Sequence, residues 1–140
     1  MRIQLEADIA LDVLNPGPLP SDDADDNAIV LRLTWGNASF LFTSDITEAT
    51  ERTLLTSDHP LLSTVLQVPH HGSASSTSSA FLAAVNPPFV LISVGAGNRF
   101  GQPAPEVLDR LTGRRLLRTD EHGTVELITD GQIMWVRTDR

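Results

Sequence analysis

The sequence predicts a layered α/β domain, in which helices pack on a mixed β-sheet. Segments with strand and helix character alternate through the middle of the chain. The apolar run over residues 89–94 shows no alternation, which is typical of a strand covered on both faces. The chain has 140 residues, of which 41% are hydrophobic and 20% charged, as expected of one domain with an ordinary core. We therefore expect a single domain over residues 1–140.

The first third of the chain has the pattern of β-strands. Residues 2–13 alternate strictly between polar and apolar side chains, which predicts one half-buried strand or two short ones. A short acidic loop follows over residues 15–27. The apolar segments 28–35 and 39–43 are joined by Gly36-Asn37, which predicts a β-hairpin with a tight turn.

The rest of the chain alternates between strands and helices before it ends in strands. Thr47 is placed to cap a helix over residues 48–56, with acidic residues in its first turn. Two further helices are predicted over residues 77–85 and 105–113. The remaining predicted strands lie at residues 64–68, 89–94, 116–119, 124–129 and 132–137. Asp130-Gly131 predicts a hairpin turn between the last two strands.

Composition and charge exclude several classes of protein. The net charge is −8, all ten basic residues are Arg, and residues 1–70 carry the whole excess of acid. Such a chain does not attract nucleic acid through its overall field, so any phosphate contact has to be local. The absence of Cys excludes thiolate metal sites and disulfides, which leaves His, Asp and Glu as metal ligands. No apolar run approaches the roughly 20 residues of a membrane-spanning helix.

Two segments with reactive side chains come directly after predicted strands. Asp45 follows the strand 39–43, where it could either cap the next helix or serve as a functional carboxylate at the rim of the sheet. His70 and His71 follow the strand 64–68 and precede Gly72. Adjacent His side chains diverge, so one can bind a metal while the other faces a substrate or accepts an orienting hydrogen bond.

Other His and Arg residues are better explained by ordinary structure. Residues 120–123, which include His122, are expected to form a polar hairpin loop. His59 is expected to lie in a loop with no functional role. The Arg residues between 110 and 118 are expected to be solvated at a helix end and a strand edge. One Asp and one His supply only two metal ligands, whereas a hydrolytic site normally has three or more.

Five segments in this order resemble one known family. They are residues 26–33, 40–46, 68–73, 92–95 with 98–101, and 118–124. Together they are similar to the C-terminal metallo-β-lactamase-like domain of the ComEC DNA-internalisation (competence) proteins, from about residue 11 onward. This resemblance implies an α/β fold that is the C-terminal half of a metallo-β-lactamase-like αββα sandwich, with a mixed sheet flanked by helices.

The resemblance also implies a function and the residues that carry it. The family is associated with a site of two metal ions, zinc or manganese, that hydrolyses phosphodiesters of DNA during uptake for transformation. Asp45 and His70 correspond to metal ligands and His71 to a catalytic residue beside the metal, while Ser73 and Arg99 would contact phosphate. The chain would then be a soluble domain of a bacterial plasma-membrane protein.

Departures from the family pattern leave a second hypothesis open. The H-x-H-x-D-H ligands lie in an N-terminal half that is absent here, Asn15 stands near the position of a further His ligand, and Ser44 replaces a Gly. We therefore expect the fragment alone to be inactive, and to pack against the missing N-terminal half-domain or a second copy. The alternative is a degenerate, non-catalytic binding or structural module of the same fold.

Overall fold

A mixed β-sheet forms the centre of the molecule. The computed structural model describes residues 1–17, 22 and 24–140, and within them seven strands form one sheet in sequence order. These strands are β1 (Arg2–Glu6), β2 (Ile9–Asn15), β3 (Val30–Trp35), β4 (Ala38–Phe42), β5 (Val65–Gln67), β6 (Phe89–Ile92) and β7 (Arg115–Arg118). Strands β1 to β4 are antiparallel, and β4 to β7 are parallel. The predicted α/β class with a mixed sheet is confirmed.

The parallel strands are connected by helices, as parallel crossovers require. The helices are α1 (Glu48–Thr56), α2 (Ser79–Val85), α3 (Pro105–Arg110) and the single turn α4 (Thr119–His122). The first three connect β4 to β5, β5 to β6 and β6 to β7. Their apolar side chains join those of the sheet in the main core, which includes Leu41, Leu66, Val90, Leu54, Phe81 and Val107.

The chain ends in a hairpin that belongs to no part of the large sheet. Strands β8 (Val125–Thr129) and β9 (Met134–Thr138) pair only with each other among the described residues. Leu127 and Met134 of this hairpin pack against a small cluster around Phe40, which is separate from the main core. The N–H of Asn37 donates to the Gly131 oxygen at 2.6 Å, and this hydrogen bond joins the β8–β9 turn to the β3–β4 turn.

Most predicted elements are present with small changes at their ends. Residues 2–13 form two strands, the β3–β4 hairpin is present, and Thr47 caps α1 by accepting from the Ala49 N–H. Helix α2 begins at Ser79 because Ser78 caps it, accepting from the Phe81 N–H at 3.2 Å. The predicted acidic loop over residues 15–27 lies partly outside the described residues.

One predicted connection is wrong. Residues 120–123 do not form a hairpin loop, since Thr119–His122 is a helical turn and β7 and β8 lie in different sheets of the described chain. The turn forms because Arg118, which directly precedes it, pairs with Asp120 and Glu121, two and three residues further along the chain. Such local pairs favour a helical turn over an open hairpin loop.

Within the described residues no helix combines the length and apolar character needed to cross a bilayer.

Strand β1 lies at one edge of the sheet, and all five of its residues are exposed. Its side chains include Ile3 and Leu5, which are 39% and 55% exposed. This edge therefore presents both apolar side chains and unpaired backbone groups.

Candidate functional site

The carboxyl ends of β4 and β5 bring the two reactive segments of the sequence together. The strands are parallel neighbours, so the loops that follow them leave the same edge of the sheet. The hydroxyl of Thr43 donates to the Gln67 oxygen at 2.6 Å, and the His70 N–H donates to the Ser44 oxygen at 3.0 Å. These bonds hold the loop with Asp45 beside the loop with the paired His residues.

Asp45 and His71 face each other across this edge. The His71 Nε2 lies 3.8 Å from the Asp45 Oδ1, and their side chains are 51% and 49% exposed. The His71 Nδ1 lies 2.6 Å from the oxygen of Ser93, at the end of β6. Because a carbonyl oxygen only accepts, Nδ1 carries a proton, and the Nε2 of a neutral ring presents its lone pair. A lone pair that faces a carboxylate repels it, so a metal cation between the two side chains would stabilise this arrangement.

His70 is placed differently from its neighbour. Its ring is half-buried, and its Nδ1 is buried with no hydrogen-bond partner. A buried nitrogen without a partner is unfavourable unless a further group satisfies it. The identification of Asp45 and His70 as metal ligands, and of His71 as a catalytic residue, stays a prediction.

The backbone at this edge is held in a conformation that L-amino acids avoid. Ser44, His70 and His71 have φ of 49°, 50° and 55°, and Thr77 further along the loop has φ of 61°. Each such residue costs of the order of 1 kcal/mol and persists only where its surroundings impose it. Positions of this kind concentrate at functional sites. At Ser44 a glycine would adopt this positive φ without the steric penalty that a side chain brings.

Gly72 lies in the loop over residues 68–78 between β5 and α2, here called the His loop, and connects it to the segment before α3. It has φ of +82°, and a Cβ at this position would lie 2.7 Å from the Cβ of Pro103. Its oxygen accepts from the Ala104 N–H at 2.8 Å. Any side chain here would displace Pro103 or the His loop, so the site requires a glycine.

Buried Glu51 clamps the far end of the same loop. Its side chain on α1 is fully buried, and its carboxylate accepts from the Thr77 N–H and, at 2.9 Å, from the Ser78 N–H. Burial raises the pKa of Glu51, and the hydrogen bonds from Ser78 oppose that shift. Arg110 holds the loop from the other side by donating to the Ser76 and Thr77 oxygens at 3.2 and 2.9 Å. Sequence reasoning identified Glu51 only as an acid in the first turn of a helix.

The two predicted phosphate contacts lie in different surroundings. The Ser73 hydroxyl shares a hydrogen bond of 3.0 Å with the Ser75 hydroxyl inside the His loop. Arg99 lies over the ring of Phe100, with its guanidinium carbon 5.3 Å from the ring centroid. Phe100, His71 and Ser93 line one cleft of about 430 Å³. Their role in phosphate binding stays a prediction.

The third polar segment is satisfied within itself. Arg118 donates to both carboxylate oxygens of Asp120 at 3.1 and 2.6 Å and pairs with Glu121 at 2.8 Å. The hydrogen bonds from Arg118 lower the pKa of Asp120. The His122 Nδ1 lies 2.9 Å from the Arg118 oxygen. These contacts give the segment a structural role, because its charged side chains are paired with one another.

The Asp45 edge of the described chain holds fewer ligands than a complete metal centre needs. In the part of the chain that the structure describes, no three or more His, Asp or Glu side chains are grouped so that they could hold a metal ion. A catalytic zinc takes about three protein ligands and one open position. Asp45 and the two His residues therefore do not make a complete metal centre by themselves, and no metal-dependent step is derived from them.

Comparisons with known proteins give one consistent result. No family model matches the chain. ComE operon protein 3 of Bacillus subtilis (strain 168) is 31% identical over 121 residues, which covers 85% of this chain and 16% of the relative. Competence protein ComA of Neisseria gonorrhoeae is 34% identical over 121 residues, or 84% of this chain and 18% of the relative. Uncharacterized protein YcaI of Escherichia coli (strain K12) is 31% identical over 106 residues, or 74% and 14%.

The chain thus spans less than a fifth of the length of the curated relatives that it matches. Two of these relatives carry competence in their names or belong to the ComE operon. The predicted resemblance rested on the order of five short segments from about residue 11 onward, and the two similarities each cover about five-sixths of the chain. This agreement supports the identification of the chain as part of a ComEC-type competence protein.

Proposed function

We propose that this chain is the segment of a competence protein that acts on DNA during its uptake, with Asp45, His70 and His71 at the reactive edge. The observation that carries the proposal is the Asp45–His71 pair. Ser93 holds the ring so that Nε2 faces the carboxylate at 3.8 Å, and neither side chain is committed to the core. Open, oriented acid and imidazole groups of this kind suit the binding of a cation or the transfer of a proton.

The proposed site is one part of a larger one. The chain would be the C-terminal half of a metallo-β-lactamase-like sandwich, whose missing N-terminal half-domain, or a second copy, completes the ligand set. Zinc or manganese bound there would activate water and stabilise charge on a phosphoryl oxygen. The residues of this chain would contribute a carboxylate at Asp45, an imidazole at His70 or His71, and a strained but fixed backbone that holds them.

A non-catalytic module of the same fold is the second candidate. It is favoured by the absence of any group of three metal-ligating side chains among the described residues. In this case Asp45 and the two His residues are inherited features of the fold, and the chain binds a partner or completes a larger structure. The two candidates differ in whether the reactive edge holds a cation.

Calorimetric titration of the chain with Zn²⁺ and with Mn²⁺ at neutral pH separates them. The metal-site proposal predicts binding that is lost in Asp45→Ala and in at least one of His70→Ala and His71→Ala. His59→Ala is the matched control, because His59 is an exposed loop residue in a separate cavity. Binding that persists in Asp45→Ala, or that only His59→Ala removes, contradicts the metal-site proposal, and absence of binding by the folded chain favours the module for this segment.

The role in DNA uptake is tested in a competent host. Replacing Asp45 and His71 by Ala in the natural gene is expected to lower the frequency of transformation at unchanged protein level. The exposed Trp135→Ala variant on the terminal hairpin serves as the control. Unchanged transformation in the double variant contradicts a reactive role for this edge. Nuclease activity of the isolated chain is expected to be absent, and clear Asp45-dependent activity would show that its site is complete.

A further inference from the structure

An exposed aromatic ring stands beside the reactive edge in a rigid loop. Phe100 is 72% exposed, although burial of such a ring normally contributes to stability. The loop is fixed by Asn98, whose Oδ1 accepts from the Phe100 and Gln102 N–H groups, each at 3.1 Å. The Asn98 amide nitrogen donates to the Gln102 oxygen at 2.5 Å. These hydrogen bonds fix the backbone of the loop, and the fixed backbone holds the ring of Phe100 in solvent.

The charge beside the ring is free to meet an anion. Arg99 lies over one face of Phe100 at 5.3 Å from the centroid. Arg118 and Arg137 are paired with carboxylates, whereas within the described residues no carboxylate forms an ion pair with Arg99. An exposed flat ring with an unpaired guanidinium is the combination that binds a nucleobase by stacking and its phosphate by charge.

The ring also lines the cleft that reaches the candidate site. This cleft of about 430 Å³ is bounded by Phe100 and Gln102 on one side and by His71 and Ser93 on the other. A base stacked on Phe100 would therefore place the adjoining backbone near His71. A base inside a duplex has no free face, so only an unpaired base can occupy this position.

We propose that Phe100 is a stacking platform for an unpaired base of single-stranded DNA, and that Arg99 contacts the phosphate next to that base. The inference rests on the proposed action on DNA and assigns the residue that receives the strand. With a net charge of −8 the chain gains nothing from its overall field, so binding depends on stacking and on one local cation. The dependence of binding on salt concentration is accordingly shallow.

The test is fluorescence anisotropy of a labelled thymidine hexamer with the 140-residue chain in the presence of a chelator. Phe100→Ala is expected to weaken binding by about 5- to 150-fold, the range for loss of one base–aromatic stack. Phe100→Trp is expected to bind as tightly as the unaltered chain. Arg99→Gln is expected to reduce the slope of log Kd against log salt by about 0.7, the value for one phosphate contact on a single strand. Because Phe100 is exposed, these variants are expected to fold.

Two probes and one control variant make the result specific. A hexamer of abasic residues carries the same phosphates without bases and is expected to bind more weakly than the thymidine hexamer. Trp135, 48% exposed on the terminal hairpin, is the matched aromatic, and Trp135→Ala is expected to bind normally. Equal binding of the two hexamers, an unchanged affinity of Phe100→Ala, or no binding at millimolar chain concentration overturns the inference.

The chelator separates this inference from the metal-site proposal. A chain that binds no metal but binds the thymidine hexamer through Phe100 supports the stacking platform and favours the non-catalytic module over the metal site. A chain that binds metal through Asp45 but whose Phe100→Ala variant binds the hexamer unchanged contradicts the stacking platform alone.

Discussion

Two segments of this chain contain the same residue types and differ in what their charges contact. The segment around His122 joins Asp120 and Glu121 to Arg118 at 2.6 and 2.8 Å, so its charges are neutralised within one turn. At the β4–β5 edge, Asp45 and His71 are half-exposed, and no arginine pairs with the carboxylate among the described residues. Residue type alone therefore does not identify a site, and an unneutralised, oriented pair is the better criterion.

The two segments also differ in backbone strain, which is low in the α4 turn and higher at the β4–β5 edge. The α4 turn has helical residues and one positive φ at Gly123, where a glycine is favourable. The edge segment has positive φ at Ser44, His70 and His71, where each costs free energy. The cost of this conformation is offset by the hydrogen bonds that Glu51 accepts from Thr77 and Ser78 and by the packing of Gly72 against Pro103.

Removal of the Glu51 clamp is expected to have the largest effect on stability. Glu51→Ala leaves the Thr77 and Ser78 N–H groups buried without an acceptor and opens a cavity, which is expected to lower the free energy of unfolding by about 3 kcal/mol. Urea denaturation measures this loss. Glu48→Ala on the same helix is the control, since Glu48 is exposed, and its effect is expected to stay within about 0.5 kcal/mol. Equal effects of the two variants would show that the clamp does not hold the loop.

Removal of Arg118 is expected to have the next largest effect. Arg118→Met leaves Asp120, whose side chain is only 15% exposed, without its two hydrogen bonds, and the expected loss is about 2 kcal/mol. Asp45→Asn, at a half-exposed carboxylate, is expected to change stability by less than about 0.5 kcal/mol. A stability loss from Asp45→Asn as large as that from Arg118→Met would remove the distinction between a structural and an open segment.

The two carboxylates are expected to give opposite dependences of stability on pH. The pKa of Glu51 is raised by burial, so the folded state binds more protons above the ordinary value of 4.5, and stability falls as pH rises through the raised pKa. The pKa of Asp120 is lowered by Arg118, so stability is lost as pH falls from 3.8 through the lowered pKa. Each slope is at most about 1.4 kcal/mol per pH unit.

Urea midpoints measured from pH 3 to pH 7 check these slopes by difference. Relative to the unaltered chain, Glu51→Gln is expected to flatten the fall on the alkaline side of 4.5, and Asp120→Asn the fall on the acid side of 3.8. A Glu51→Gln curve parallel to that of the unaltered chain above pH 4.5 would contradict the direction given for Glu51.

Relief of backbone strain at the edge is expected to have the smallest effect. Ser44 has φ of 49°, a conformation that Gly adopts without a steric penalty. Ser44→Gly is expected to raise the free energy of unfolding by about 0.5 to 1 kcal/mol, because the relief exceeds the added entropy of the unfolded chain. A shift of the thermal midpoint upward measures it. A lowered midpoint would show that Ser44 is not strained.

The predictable part of the fold was the part encoded by local pattern. Period-two alternation over residues 2–13 indicated β1 and β2, the Gly36 turn indicated the hairpin, and Thr47 indicated the start of α1. The separation of the terminal hairpin from the main sheet was not predictable, because it depends on packing of Leu127 and Met134 against Phe40, which lies far away in the sequence.

The position of the candidate site at the sheet edge was predictable from the sequence, but the orientation of its side chains was not. The strand ends located Asp45 and the two His residues at one edge, since neighbouring parallel strands end together. Which imidazole faces the carboxylate depends on the left-handed backbone at His70 and His71 and on the bond from His71 to Ser93. Neither has a signature in the sequence. Glu51 was missed for the same reason, because the N–H groups that donate to its carboxylate come from a loop 26 and 27 residues away.

The most direct test of the Asp45–His71 site is the nitrogen NMR spectrum of the imidazole rings during titration with Zn²⁺. The account predicts that His71 in its neutral form carries its proton on Nδ1, and that Zn²⁺ shifts its Nε2 resonance in the unaltered chain but not in Asp45→Ala. The rings of His59 and His122 are expected to stay unchanged. A neutral His71 protonated on Nε2, or a Zn²⁺ response confined to His59 or His122, would contradict the account.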